Sequence, residues 1–215
     1  MSLVDLIAQA DERGLAASGL ACLDRCVPLL GGDDEVLRPL WSSLADGGAD
    51  GDAWGERLAK ARAELDSADA DADASADSDP VVGPDPVIGP DPAPGSGSGT
   101  ESETEAKTEA AVSDESRAAA LARRMLATAP DDPCASALRV WADACSAAAL
   151  QIHRLLDVAA DGDGPLVAAE LRRQVTVLEL LAGRGAGGLR PALEVSTEGR
   201  RVLRAVVSRR ARGRS

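Results

Sequence analysis

Residues 134–156 read CASALRVWADACSAAALQIHRLL and contain the most regular apolar pattern in the chain. Steps of three and four residues place side chains on one face of an α-helix. Asp132 followed by Pro133 has the arrangement of an N-cap and a first-turn proline. The stretch therefore predicts a helix of about 25 residues. Its buried stripe consists of Cys134, Leu138, Trp141, Cys145, Ala148, Ile152 and Leu156.

Helical patterning also fills the first 65 residues. Ser2 and Asp5 have the spacing of a capping box for a first helix. Residues 15–30 are apolar on nearly all sides, which is typical of a buried helix, and Gly31 follows them. Pro39 lies inside the next apolar pattern, so it should kink that helix or stand in its first turn. Another helix is predicted from apolar residues at steps of four, three and four: Trp54, Leu58, Ala61 and Leu65.

After residue 156 the pattern predicts a helix over residues 167–182, a glycine loop and a last helix capped by Ser196. Residues 193–195 read as a short extended piece, which leaves open a short β-hairpin near residues 175–195. Apart from that hairpin, the sequence predicts an all-α protein.

The two helical regions are separated by residues 66–115. This segment contains 14 acidic residues, one base (Lys107) and six of the twelve prolines. Such a segment buries too little apolar surface to offset its ordering entropy, so we predict a disordered acidic linker rich in Pro, Ala and Gly. The predicted organisation is an N-terminal helical segment (1–65), the linker, and a C-terminal helical segment (116–215).

The charge of the chain is unevenly distributed. The formal net charge of −13 equals that of the linker alone, whereas residues 1–65 carry −6 and residues 116–215 carry +6. Residues 1–65 by themselves would form only a marginal core. Opposite charge would steer the two segments together. We therefore expect both segments to pack into one small helical bundle.

The location is predicted from what the sequence lacks. The N-terminus has no basic region before its apolar residues, so no secretory signal is expected. No uncharged apolar run is long enough to span a bilayer. We expect a cytoplasmic protein with reduced thiols. Twenty-one arginines against two lysines, with abundant Ala and Gly, suggest a bacterial origin.

The candidates for catalytic, metal-binding or nucleotide-binding residues are better interpreted as structural residues. The cysteines occur as Cys22-x3-Cys26, Cys134 and Cys145, and their helical positions favour core packing over zinc. His153 is the only histidine; without an orienting partner or a nucleophile, we interpret it as a partly exposed helix residue. The motif Gly183-x-Gly185-x-x-Gly188 follows a helix, not a strand, and does not predict a dinucleotide site. No enzyme activity, cofactor, metal or small-molecule substrate is expected.

Paired aspartates in two loops, residues 50–52 and 161–163, resemble calcium-loop fragments. Aligning Asp50 as the first ligand places Trp54 and Ala61 at later ligand positions, so the EF-hand pattern fails. We interpret these aspartates as helix caps.

The arginine-rich C-terminus is the feature of the sequence that points to a binding function. Seven arginines and no acidic residue occupy residues 200–215. Cations on an amphipathic helix can bind phosphate, anionic lipid or acidic peptide, and a solvated, frayed terminus is the alternative interpretation. The predicted anion-binding residues are Arg200, Arg201, Arg204, Arg209, Arg210, Arg212 and Arg214.

Val195-Ser-Thr-Glu-Gly-Arg-Arg-Val-Leu203 resembles the strand-to-helix junction after the wing of MarR-type winged-helix transcription regulators. The resemblance implies a recognition helix at residues 166–173. It also implies a wing formed by residues 175–181 and 189–195.

The sequence thus supports two hypotheses. The first is a non-enzymatic regulatory or adaptor protein that binds a protein partner, with a basic C-terminal tail for an anionic partner such as nucleic acid or a membrane surface. The alternative is a DNA-binding transcriptional regulator with a winged-helix-like C-terminal part.

Overall fold

A computed structural model describes residues 2–33, 35–46, 51–76, 100–157 and 164–213. All regular structure in these ranges is helical, so the described part of the protein is all-α. Within the same ranges, no helix has the length and hydropathy needed to cross a bilayer. The α-helices are α1 (Leu3–Gln9), α2 (Glu12–Cys26), α3 (Arg38–Ala45), α4 (Gly51–Ala76), α5 (Thr100–Ala127), α6 (Ala135–Leu156), α7 (Pro165–Arg184) and α8 (Leu189–Arg212).

Helix α2 lies at the centre of the fold. Every residue from Gly14 to Cys26 is buried, as the all-round apolar pattern predicts. It packs against α6, α7 and α8 from the C-terminal part of the chain, and against α3 and α5. One apolar core therefore draws its residues from both ends of the sequence. Pro28 supplies no backbone N–H, and the chain continues past α2 as a 3-10 turn, Val27–Leu29, before Gly31 turns at φ 67°.

Local start signals explain several helix boundaries. The capping box is confirmed: Asp5 N donates to Ser2 Oγ at 3.2 Å and Ser2 N donates to Asp5 Oδ2 at 3.1 Å. Pro39 stands in the first turn of α3, one of its two predicted positions. Helix α6 covers 22 residues and begins one residue after Cys134, which occupies the N-cap position. The predicted N-cap at Asp132 is therefore wrong by two residues.

Two tryptophans from different parts of the chain meet in the core. Trp54 of α4 and Trp141 of α6 are in edge-to-face contact with ring centroids 6.3 Å apart. Their indole N–H groups donate to Pro130 O at 2.8 Å and to Met125 O at 2.9 Å. Both polar atoms are thus satisfied while the rings are buried.

Arginines satisfy the carbonyl groups at helix ends contributed by distant parts of the chain. Arg62 of α4 donates to the carbonyl oxygens of Leu126, Ala127 and Ala129, at 3.3, 3.3 and 2.7 Å. Arg139 of α6 donates to Ile7 O and Ala8 O, both at 2.8 Å. The last carbonyls of a helix have no partner within it, and a nearby cation also interacts favourably with the helix dipole. These contacts connect the N-terminal helices to the C-terminal ones.

The ends of the predicted linker differ from the prediction. Helix α4 continues to Ala76 and α5 begins at Thr100, so residues 66–76 and 100–115 are helical. Both pieces are rich in alanine, which has the highest helix propensity. Residues 77–99 lie outside the described ranges, and their predicted disorder stays a prediction.

Of the two alternatives left open near residues 175–195, the structure has the helix followed by a turn and not the short β-hairpin. Helix α7 continues to Arg184, a 3-10 turn covers Gly185–Gly188, and α8 starts at Leu189. Residues 193–195 are helical, and Ser196 lies inside α8, where its hydroxyl donates to Ala192 O at 3.0 Å. The wing implied by the winged-helix resemblance is therefore helical. The apolar residues of this region face the core at helical spacing, and this packing outweighs the β-propensity of its valines.

Candidate functional site

The structure divides the predicted arginines of the C-terminus into two groups. Arg200 is buried and donates to Asp24 Oδ1 on α2 at 2.8 Å. Arg210 is half-buried and donates to Leu156 O at the end of α6, at 3.3 Å. Both side chains hold α8 against neighbouring helices. Because their guanidinium groups make these internal contacts, their placement gives no support to the prediction that they bind an anionic partner. Arg214 lies outside the described residues.

The remaining four, Arg201, Arg204, Arg209 and Arg212, are exposed, and we name them the α8 arginine face. At 3.6 residues per turn their side chains fall within an arc of about 140° and span about 17 Å of the helix axis. Arg201 lies 3.6 Å from Glu198, and both side chains are largely solvent-exposed, so this pair is weak. Since no acidic residue follows Glu198, the end of α8 presents a cationic surface.

A second group of polar residues is buried between α2, α6 and α7. Arg25 donates from Nη2 and Nε to the two carboxylate oxygens of Glu170, at 2.5 and 2.8 Å. Gln174 donates to Glu170 Oε1 at 2.9 Å and accepts from Ser146 Oγ at 2.7 Å. With His153, these residues form what we name the buried polar cluster.

Arg25 and Glu170 keep each other charged inside this cluster. Burial would raise the pKa of Glu170, but the Arg25 guanidinium and its hydrogen bonds hold that pKa below the ordinary value. Burial alone would lower the pKa of Arg25, and the carboxylate of Glu170 reverses that effect and raises it. Both groups are therefore ionised at neutral pH. Two charges removed from water are stabilised by a bidentate ion pair.

His153 belongs to the cluster, and its prediction as a partly exposed residue is wrong. Its side chain is 1% exposed, with Nε2 3.6 Å from Glu170 Oε2. Nδ1 lies 2.8 Å from Ala149 O, and this geometry suits a neutral ring that donates from Nδ1. Burial lowers the pKa of His153, against the attraction of Glu170. The histidine is thus held neutral beside a carboxylate.

Three of the four cysteines follow the predicted core packing. Cys22, Cys26 and Cys145 are buried free thiols, and burial raises the pKa of Cys22 to about 12. Cys134 is exposed, unlike its predicted place in the apolar stripe, because α6 begins after it. Among the described residues, no group of three or more His, Cys, Asp or Glu side chains is arranged to hold a metal ion.

The glycine motif at residues 183–188 and the aspartate loops at residues 50–52 and 161–163 form no binding site among the described residues. In the glycine motif, Gly183 is part of α7, and Gly185, at φ 53°, is the first residue of the 3-10 turn. The predicted aspartate caps at positions 50 and 161–163 lie outside the described residues. The predicted cap at Asp52 is wrong, because α4 begins at Gly51 and position 52 lies inside the helix. Asp157 caps the start of α7 instead, accepting from Leu166 N at 3.0 Å.

Sequence reasoning missed the buried ion pairs. Asp24 and Arg25 lie in a helix that is otherwise apolar all round, which is itself a signal of buried charge. Glu170 and Gln174 fall on the apolar side of α7 with Val167 and Val177, at helical spacing. Which carboxylate meets which arginine depends on helix packing.

Comparison with protein-family models, curated proteins and solved structures finds no match to this chain.

Proposed function

We propose that this chain is a non-enzymatic, cytoplasmic regulatory or adaptor protein that binds an acidic segment of a partner protein through the α8 arginine face. The observation that carries the proposal is the set of four exposed arginines on one side of the last three turns of α8. Guanidinium groups bind carboxylates through paired hydrogen bonds, which suits an acidic peptide segment. Nucleic-acid binding commonly uses more phosphate contacts than four cations provide.

The fold supports this function by providing a rigid base for α8. We propose that residues 1–65 and 116–215 form one shared helical bundle. Arg200 pairs with Asp24 on α2, and the apolar side of α8 packs on α2 and α7. The potential catalytic groups Glu170 and His153 are buried from solvent and form structural contacts.

Binding of a fluorescent Glu-rich peptide, followed by anisotropy at low and high salt, tests the proposal. Replacing the four residues of the α8 arginine face by Gln should weaken binding by about tenfold or more at low salt, since each exposed charge pair contributes a few tenths of a kcal/mol. Arg200 and Arg210 stay unchanged because they hold α8 in place.

The matched control carries the same charge change at four exposed arginines elsewhere: Arg38, Arg117, Arg172 and Arg184. Equal loss of affinity in both variants would show a nonspecific effect of net charge and contradict the proposed site. Duplex DNA and anionic vesicles serve as competing probes. Binding of either one more tightly than the peptide would replace the proposed partner.

A further inference from the structure

A groove of about 660 Å³ is lined by residues of α5, of α6 and of the segment that joins these two helices. Its floor contains Met125 and Trp141, which are buried, and its wall includes Val140, whose exposed fraction of 72% is among the highest of the large apolar residues. The Trp141 indole donates to Met125 O at 2.9 Å, so the floor is held in place before any ligand binds.

The wall on α6 has the spacing of a helix-packing seam. Its residues recur at steps of three, four, three and four: Ala137, Val140, Ala144, Ala147 and Gln151. Along α5 and the turn directly after it, the groove is lined by Leu121, Met125 and Thr128 at steps of four and three. Steps of three and four on two adjacent helices form the holes into which the side chains of a third helix insert. The small alanines let that helix approach closely, over about 21 Å or four turns.

The charge at the groove indicates which kind of amphipathic helix it would bind. Arg124, an exposed arginine, is the charged side chain lining the groove, and no carboxylate lines it. An occupant with carboxylates along one flank is therefore complementary. A second copy of this chain would place another arginine-lined groove against the first, which like charge disfavours.

We propose that the α5–α6 groove binds an amphipathic helix of a partner protein, with apolar residues at steps of three and four and acidic residues along the flank that faces Arg124. This site is separate from the α8 arginine face and does not depend on it. The binding mode is that of a helix laid into an apolar groove.

The probe is a pair of synthetic helical peptides of about 15 residues, the length of the groove. Both carry Leu and Ala at steps of three and four; one has a Glu flank and the other a Lys flank. At low salt the intact chain should bind the Glu peptide about fivefold more tightly, the size expected for an exposed charge pair. Arg124→Glu should reverse this preference, whereas Arg172→Glu on α7 should not.

Filling the groove provides a second readout. Ala144 is exposed, so Ala144→Arg should abolish peptide binding with an unchanged circular dichroism spectrum, whereas Ala182→Arg on the exposed side of α7 should bind normally. Replacing the four residues of the α8 arginine face should leave peptide binding intact, which distinguishes this site from the proposed anionic-partner site.

Three results would overturn the inference. Equal affinity for the two peptides would contradict the proposed preference for an acidic flank. Sedimentation of the intact chain as a dimer that Ala144→Arg dissociates would assign the groove to a second copy. Binding only after deletion of residues 77–99 would assign the groove to a segment of this chain.

Discussion

At the scale of single residues, Arg25 and Glu170 depend on each other. Both side chains are completely buried, and each is the main counter-charge of the other. Glu170→Leu leaves a guanidinium in the core without its carboxylate, and Arg25→Leu leaves the carboxylate without its cation. Either change should lower the free energy of unfolding by about 3–5 kcal/mol.

Combining the two substitutions should cost less than either one alone, because replacing both partners leaves no buried unpaired charge. Denaturant unfolding of the wild type, both single variants and the double variant measures this coupling. Additive losses in the double variant would contradict the interdependence of the pair.

His153 should make stability depend on pH. Burial holds its pKa below the ordinary value of 6.5, with Glu170 attracting the charged form and Arg25 and Arg173 opposing it. Below pH 6.5 the unfolded chain takes up a proton that the folded protein does not. The free energy of unfolding should therefore be at its full value above pH 6.5 and decrease as pH falls, by at most about 1.4 kcal/mol per pH unit from this group.

The control variant is His153→Leu, because a leucine side chain fills a similar space and does not titrate. Denaturant unfolding between pH 7 and pH 5 should give a shallower slope for this variant than for the wild type. Parallel slopes would show that the histidine has the same pKa in the folded and unfolded chains.

At the scale of helices, a glycine lets α2 approach α6 closely. A Cβ atom on Gly19 would lie 2.6 Å from two ring carbons of Trp141. Gly19→Ala should therefore destabilise the protein by about 1–3 kcal/mol, as overpacking of a core does. Thermal unfolding followed by circular dichroism measures the change.

Gly183 provides the matched control. It lies near the end of α7, and a Cβ atom there would meet nothing within 4 Å. Gly183→Ala should stabilise α7 slightly, by up to about 1 kcal/mol, since alanine is the better helix former. Equal destabilisation by both substitutions would point to a backbone effect and not to contact with Trp141.

At the scale of the whole molecule, the N-terminal helices need the C-terminal ones. Helix α2 is buried on all sides by helices from both parts of the chain. A fragment of residues 1–76 alone should therefore have little stable structure, and mixing it with residues 100–215 should restore helical circular dichroism and bury Trp54 and Trp141. The two fragments carry net charges of −10 and +1, so the association rate should depend only weakly on salt.

Titration of one fragment with the other, followed by tryptophan fluorescence, measures this association. Two fragments that each unfold cooperatively alone and do not associate at any salt concentration would contradict a shared bundle.

Much of the fold follows from local pattern. The capping box at Ser2, the buried character of α2 and the position of α6 were predictable because apolar spacing and capping chemistry act within a few residues. The choice between helix and β-hairpin at residues 175–195 stayed open because short valine-rich segments have ambiguous preferences. Their helical state depends on the surface against which they pack.

The candidate site was only partly predictable. The sequence identifies the cationic C-terminus, but it does not separate Arg200, which pairs with buried Asp24, from exposed Arg201 next to it. Adjacent residues on a helix point about 100° apart, so their environments differ once a neighbouring helix covers one side.

The helical class, the opposite charges of the two ends and the concentration of arginine at the C-terminus follow from composition and short-range spacing. The meeting of Arg25 with Glu170, the burial of His153 beside them and the groove between α5 and α6 do not follow from either. Those contacts join residues far apart in the chain, and they form through the packing of whole helices.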